Sequence, residues 1–491
     1  MVARLFRSGL TLLAVFVVVW IAVIVWWQAV NRMPTTADIV TYLFLLPMGM
    51  VIGYWVMKRA LDGIRSNVVA GRELAAATPA AVAAGDAMPT DPQDATRQWR
   101  AVLLGSALRA PAGADAMALV DAVQASTQPG LADVQGFGQP IFAAPVEGLD
   151  IEDLRTELAE RHPDLDWPDE NLRALTLAGQ VAEELAAQAV AQQPVETGVE
   201  PARMVVTALL PREWTPPQQA AADTWLRQRI GLIWPAERLT LEPIAARGDA
   251  DALLLLDRAT QALNRPSDER ALRMLVVADS LVGPNAVEQL MQQEQLFDAN
   301  RQHGRIPGEA AAGVLLCAPT DALAQAAQPA EATDDEPTAA PTTITRASVA
   351  RLEAPTPNKG QPRLETLGGV VRQVLDTLAA TPAAKDSKAK PADDAPASAE
   401  PAIASVVTDT GMHPVRTVEV ARVFSERFPA LDVAADLLPL GTPCGYVGAA
   451  GALLPVVVAH QLSLETGKPV LAVTANDIQQ RGAIAVVPSL T

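Results

Sequence analysis

Few side chains in this sequence are able to carry covalent or acid–base chemistry: two cysteines, Cys317 and Cys444, and four histidines, His162, His303, His413 and His460. A nucleophilic thiolate needs a helix N-terminus or a neighbouring base. Cys444 is followed by Gly445, Tyr446 and Val447, and no base accompanies it at a fixed spacing. Both cysteines stand among apolar or small residues, far apart in the chain, which suits two buried free thiols in a reducing compartment. Histidines scattered in this way are usually core or surface residues. No GxSxG elbow, Walker loop, GxGxxG or HExxH pattern occurs, so neither a cofactor nor a metal is expected. Two passages stand apart from this sparse background, FDANRQHGRIPGEAA over 297–311 and CGYVGAAG over 444–451. They combine turn-forming glycines with a carboxylate and guanidinium groups.

Elements able to position these passages alternate along the chain. Hydrophobic periodicity predicts a strand opening at 100–104, helices over 114–123, 151–160, 169–191 and 216–230, and a strand over 203–210. It then predicts a helix over 249–263, a strand over 273–278, a helix over 285–292 and a strand over 312–317. Helices over 368–379, 417–428 and 449–464 and strands over 402–408, 470–473 and 483–487 complete the series. Such alternation predicts an α/β fold with sheets between helices. With 491 residues, 49% of them hydrophobic, the chain is long enough to bury a large core. Its formal net charge of −18 excludes a nucleic-acid footprint and favours a neutral or basic partner. Residues 325–343 and 381–401 are rich in Pro, Ala and charge, bury little, and are expected as disordered insertions.

The N-terminal segment reads as a membrane anchor. Residues 10–30 carry no charge over a length that crosses a ~30 Å hydrocarbon core as a helix. A second uncharged run, 39–57, contains Pro47, Gly49 and Gly53, which membrane helices tolerate. The expected organisation is a transmembrane hairpin within 1–72, a flexible Ala/Pro-rich linker over 73–96 and a globular domain over 97–491. Arg4 and Arg7 precede the first run, and Lys58, Arg59, Arg65 and Arg72 follow the second. The positive-inside rule then places both termini in the cytoplasm, at a bacterial inner membrane.

Phe297-Asp298, Arg301, Gly304 and Pro307-Gly308-Glu309 lie in a loop entering a predicted strand, and Gly448-Ala449-Ala450-Gly451 stand at a predicted helix start. In order and placement they resemble the β-ketoacyl synthase branch of the thiolase-like fold, over about 249–491 and more loosely back to 100. The resemblance implies a layered α/β sandwich with an N-half over 97–296 and a C-half over 297–491. Asp298, Arg301, Gly308, Glu309, Gly448 and Gly451 are its fold-motif residues. It further implies where a condensing reaction would sit: a cysteine at a helix N-terminus and two imidazoles that stabilise enolate and oxyanion. Here Asp249 stands at the nucleophile, Thr408 at the first histidine, Gly445 at the second and Leu440 at the lysine that precedes it. The implied protein is a pseudoenzyme, not an enzyme, and a homodimer as condensing enzymes often are.

A thiolase-like domain without those residues, behind a membrane hairpin and broken by Ala/Pro insertions, resembles one group in layout. These are the adaptor proteins of bacterial type VI secretion, which escort a phospholipase effector to the secretion spike. The resemblance implies a protein partner, with the membrane engaged through 10–30 and 39–57. Two other readings stand beside it. One is a membrane-bound acyl-chain or lipid sensor that keeps the family's tunnel, and the other is a divergent acyltransferase using Cys444.

Overall fold

The structure, a computed structural model, describes residues 95–134, 138–192, 201–266, 270–320, 341–355, 361–379, 403–411 and 413–489. The expected membrane hairpin and most of the linker lie outside these residues. Strand β1 (Ala101–Arg109) leads to helix α1 (Ala116–Gln124), whose N-cap Asp115 accepts a hydrogen bond from the Met117 backbone at 3.0 Å. There follow a short ribbon of β2 (Leu131–Ala132) and β3 (Ile141–Phe142), then α2 (Glu152–Arg161), α3 (Asp169–Ala191), β4 (Arg203–Leu210) and α4 (Pro216–Gly231). Next come β5 (Leu239–Ala245), α5 (Asp251–Leu263), β6 (Ala271–Ser280), α6 (Pro284–Gln292) and β7 (Glu309–Cys317). A second series comprises β8 (Thr342–Ile344), β9 (Ser348–Arg351), α7 (Glu365–Ala379), β10 (Ser405–Thr408) and α8 (Pro414–Arg427). It ends with β11 (Leu437–Pro439), α9 (Leu454–Thr466), β12 (Val470–Thr474) and β13 (Gln480–Pro488).

One sheet runs β11-β10-β12-β13-β8-β1-β7-β6-β4-β5, with β9 beside β13. Its two ends repeat the same pattern. Three parallel strands (β5-β4-β6 and β11-β10-β12) are followed by an antiparallel one (β7 and β13) and then by the strand that opens the half (β1 and β8). The halves join where β1 and β8 pair antiparallel, Ala101 opposite Ile344. Because β7 pairs with β1 and β6, it belongs with the first half. The division therefore falls after Cys317, later than the expected boundary between 296 and 297.

Strands in both halves are buried on both faces, as sheets covered by helices must be. In β7, Ala311, Leu315 and Cys317 face a core shared with α3 and α4, while Ala310, Ala312, Val314 and Leu316 face a second core with α1, α5 and α9. In β13, Ile484 and Val486 join that second core, whereas Ala483, Ala485 and Val487 join a third with α7 and α8. Period-2 alternation thus stacks helix, sheet, helix, sheet and helix layers.

Two sequence boundaries shift. Thr342 and Thr343, placed in the first insertion, are paired in β8, because Val487 and Pro488 supply the partner backbone. The linker ends earlier than 96: Ala95–Gln98 form a 3-10 turn, and Arg346 Nη1 donates to the Thr96 carbonyl at 3.1 Å. Among the described residues one helical stretch, Gly448–Thr466, is long and apolar enough to cross a membrane, and most of it is buried in the protein. Neither cysteine is in a disulfide, and both are buried.

Candidate functional site

The two passages singled out in the sequence meet at the entrance to β7. Gly308 N donates to the Tyr446 carbonyl at 3.0 Å, Tyr446 N to Ile306 O at 2.7 Å, and Ala144 N to Pro307 O at 2.9 Å. The approach is too close for a side chain. A Cβ on Gly308 would stand 2.0 Å from the Cys444 carbonyl oxygen, and one on Gly445, whose φ is +68°, would stand 2.7 Å from that of Ile306.

Glu309 is fully buried and acts as a clamp. Its Oε2 accepts from Arg173 Nε and from Ser280 Oγ, both at 2.8 Å, and its Oε1 accepts from Val146 N at 2.7 Å. A buried carboxylate persists only with such compensation. The clamp ties α3, β6 and the segment before α2 to the first residue of β7. Gly448, at φ +53°, abuts Asp279, which accepts from Ala449 N at 3.2 Å. Burial, with a smaller contribution from Glu213, pushes the Asp279 carboxyl up to about 7. Asp298 and Arg301 form an outer turn, in which Asp298 Oδ1 accepts from Asn300 N and Arg301 N at 2.7 and 2.9 Å. Gly451 is buried, and a Cβ added there would make only ordinary contact, 3.7 Å from Asp409 Cβ. Every fold-motif residue is thereby placed by packing or backbone geometry.

Beside Gly445 lies a cavity of about 30 Å³, walled by Gly411, Gly441 and Gly445 and by Arg305, His413 and Arg416. Tyr446 and Asn476 complete its polar lining. The Arg305 guanidinium lies 3.7 Å over the Tyr446 ring, and the Tyr446 hydroxyl donates to Asp249 Oδ1 at 3.0 Å. Arg416 Nη1 donates to Asn476 Oδ1 at 3.0 Å, while Arg416 Nε, Asp249 Oδ2 and both ring nitrogens of His413 are buried with no hydrogen-bond partner among the described residues.

Titration follows burial. Desolvation, then the charge of Arg416, lowers His413 to about 4. Arg416 falls to about 10 through desolvation and the nearby Arg305 and Arg481. Desolvation pushes Asp409 up to about 6, although Thr474 and the backbone of Ala475 and Asn476 donate to it. It likewise raises Asp249, against the pull of Arg305, and raises Tyr446.

Asp249 and Gly445 are brought together here through Tyr446. Thr408 ends β10 nearby, its carbonyl accepting from Leu440 N at 2.8 Å, and it does not line the cavity. Cys444 is 1% exposed, packs its backbone against Gly308, and has its thiol pushed up to about 12 by burial. Burial of this kind disfavours the thiolate that an acyltransferase at Cys444 would need. About 30 Å³ holds roughly two waters.

Sequence reading missed Arg305, Arg416 and Asn476 and set His413 aside. They come from three segments, and the only local signal was Arg416 three residues beyond His413 at a helix start.

No protein-family model and no curated protein matches the sequence. Solved structures do. A ketosynthase from module 6 of the bacillaene synthase of Bacillus subtilis 168 is 12% identical, with a TM-score of 0.51, over 80% of this chain and 72% of the other. A β-ketoacyl synthase from Burkholderia phymatum STM815 is also 12% identical, with a TM-score of 0.50, over 80% and 100% of the two chains. The oxazolomycin ketosynthase domain from Streptomyces albus JA3453 is 13% identical, with a TM-score of 0.51, over 80% and 74%. This finding corrects the expectation that the chain is not an enzyme. The structures sharing its fold are condensing enzymes, and replacement of three family positions does not by itself take a chain out of catalysis. The repeated strand order, the stacked layers, the meeting of the two glycine-rich passages and these neighbours together give the chain the thiolase-like fold of the ketosynthases.

Proposed function

We propose that this chain is a membrane-tethered adaptor whose thiolase-like domain holds a protein partner and hands it on. The observation that carries the reading is the filling of the space beside Gly445. Tyr446 bonds to Asp249, Arg305 stacks on Tyr446, and about 30 Å³ remains, which admits no acyl chain. What the fold then offers a ligand is its outer surface, belonging to a chain of net charge −18. Such a surface steers a neutral or basic partner. In the layout of hairpin, linker and interrupted domain, the partner is a phospholipase effector and the destination a type VI secretion spike. Residues 10–30 and 39–57 would hold the adaptor at the inner membrane. Deleting the gene in a secreting strain is expected to leave the effector inside the cell while other spike-borne proteins are still released. Release of the effector at the undiminished level would overturn the proposal.

A further inference from the structure

We propose that the cavity beside Gly445 is a binding site for a single carboxylate, held by Arg305, His413 and Arg416. The site lies in the same small space whose filling carries the adaptor reading, and its test does not involve the protein partner. Three observations on one small volume lead to it.

First, the donors converge. Among the described residues the Arg305 guanidinium makes no hydrogen bond or ion pair and is held only by its stack on Tyr446 at 3.7 Å. Arg416 is 3% exposed and keeps its Nε without a partner after Nη1 has bonded to Asn476. His413, 7% exposed and lining the same space, leaves both ring nitrogens without a partner among the described residues. Buried polar groups are nearly always satisfied, so this concentration of orphans at one cavity points to a missing ligand with acceptor atoms.

Second, the charge has the right sign in a chain of the opposite sign overall. Arg305, Arg416 and His413 face the cavity, with His303 close to His413 and the N-terminus of α8 beginning next to it. Of the acidic groups around it, Asp409 and Asp477 accept backbone N–H groups and Asp249 accepts the Tyr446 hydroxyl, and none of the three lines the cavity. Burial, then the charge of Arg416, depresses His413, and burial, then Arg305 and Arg481, depresses Arg416, which an anion held here would relieve.

Third, the size is selective. About 30 Å³ takes roughly two waters, or the planar head of a carboxylate for which an arginine fork is the matching donor. The rim residues Arg305, Gly411, Gly445 and Asn476 are partly exposed, so a carboxylate can enter free or on the end of a peptide.

The test is isothermal titration calorimetry on the full chain at pH 6.5 and constant ionic strength, with sodium chloride as the blank. Sodium acetate and a tetra-alanine peptide with a free or an amidated C-terminus are the probes. Saturable one-site binding of acetate, or of the free-acid peptide and not the amide, is expected, and the pattern tells a free anion from a chain terminus. Arg305→Gln should weaken it about tenfold, the loss of one charge-assisted bond. His413→Gln should abolish the proton uptake that accompanies binding, read as the dependence of the heat on buffer ionisation. Arg305 and His413 are chosen because their side chains make no hydrogen bond or ion pair to another element among the described residues, and circular dichroism checks that both variants fold despite the lost Arg305 stack on Tyr446. No saturable heat with any probe, or equal affinity in both folded variants, would overturn the site.

Discussion

At Gly308 a single methyl group tests how the two passages meet. Its Cβ would fall 2.0 Å from a backbone oxygen that cannot swing aside, so Gly308→Ala is expected to cost on the order of 2–4 kcal/mol in urea unfolding. Gly368→Ala, where nothing lies within 4 Å, should be neutral or slightly stabilising. Asp279 makes a pH-dependent prediction. Its folded carboxyl titrates near 7 against a reference of 3.8, so its contribution to stability is present below about 3.8 and is lost as pH rises through 7. Asp279→Asn keeps an acceptor for Ala449 N and cannot ionise. It should stabilise the protein at pH 8 by on the order of a few kcal/mol, with the gain fading towards pH 4 in thermal melts. His413 runs the other way, its contribution present above 6.5 and lost as pH falls through about 4. At this scale the sequence showed the glycines and Glu309 because they sit in contiguous motifs. Arg305, His413, Arg416 and Asn476 were hidden because chain folding alone gathers them.

Among the elements, the Glu309 clamp decides how β7 is seated. Arg173→Ala would leave a fully buried carboxylate with two of its donors and no counter-charge, an expected loss of about 3–5 kcal/mol. The double variant Arg173→Met with Glu309→Leu should recover most of that loss, measured by denaturant midpoint. If the single variant melts like the parent, the clamp is not what seats β7. A second such pair, Glu419 with Arg481, joins α8 to β13 at 2.8 Å and is equally buried. Long elements were legible in the sequence. Helix α3 and strand β4 fall at the residues their periodicity predicts, because each has one strong pattern and clear ends. Strand β5 was missed, its LTLEPIA broken by Glu242 and Pro243, and β8, β9 and β11 are too short for any period to show. The order of α5 and α9 behind their glycine-containing turns was readable, whereas the pairing of β1 with β8 that joins the halves was not.

Over the whole molecule, the same five-strand order occurs twice, and the two halves share a core built from α1, α5 and α9. The fold class could be read from the alternation of elements, while the place where the halves divide had to come from strand pairing. A scaffold of this size offers a large outer surface, and its net charge of −18 makes association with a partner dependent on salt. The central claim is tested most directly by co-expressing the full chain with a candidate phospholipase effector from the same genome and measuring the mass of the species purified from the membrane. A one-to-one complex whose association rate falls several-fold between 50 and 300 mM salt is the expected result. Recovery of the chain alone under gentle extraction, with the effector folded and present in the same cells, would contradict it.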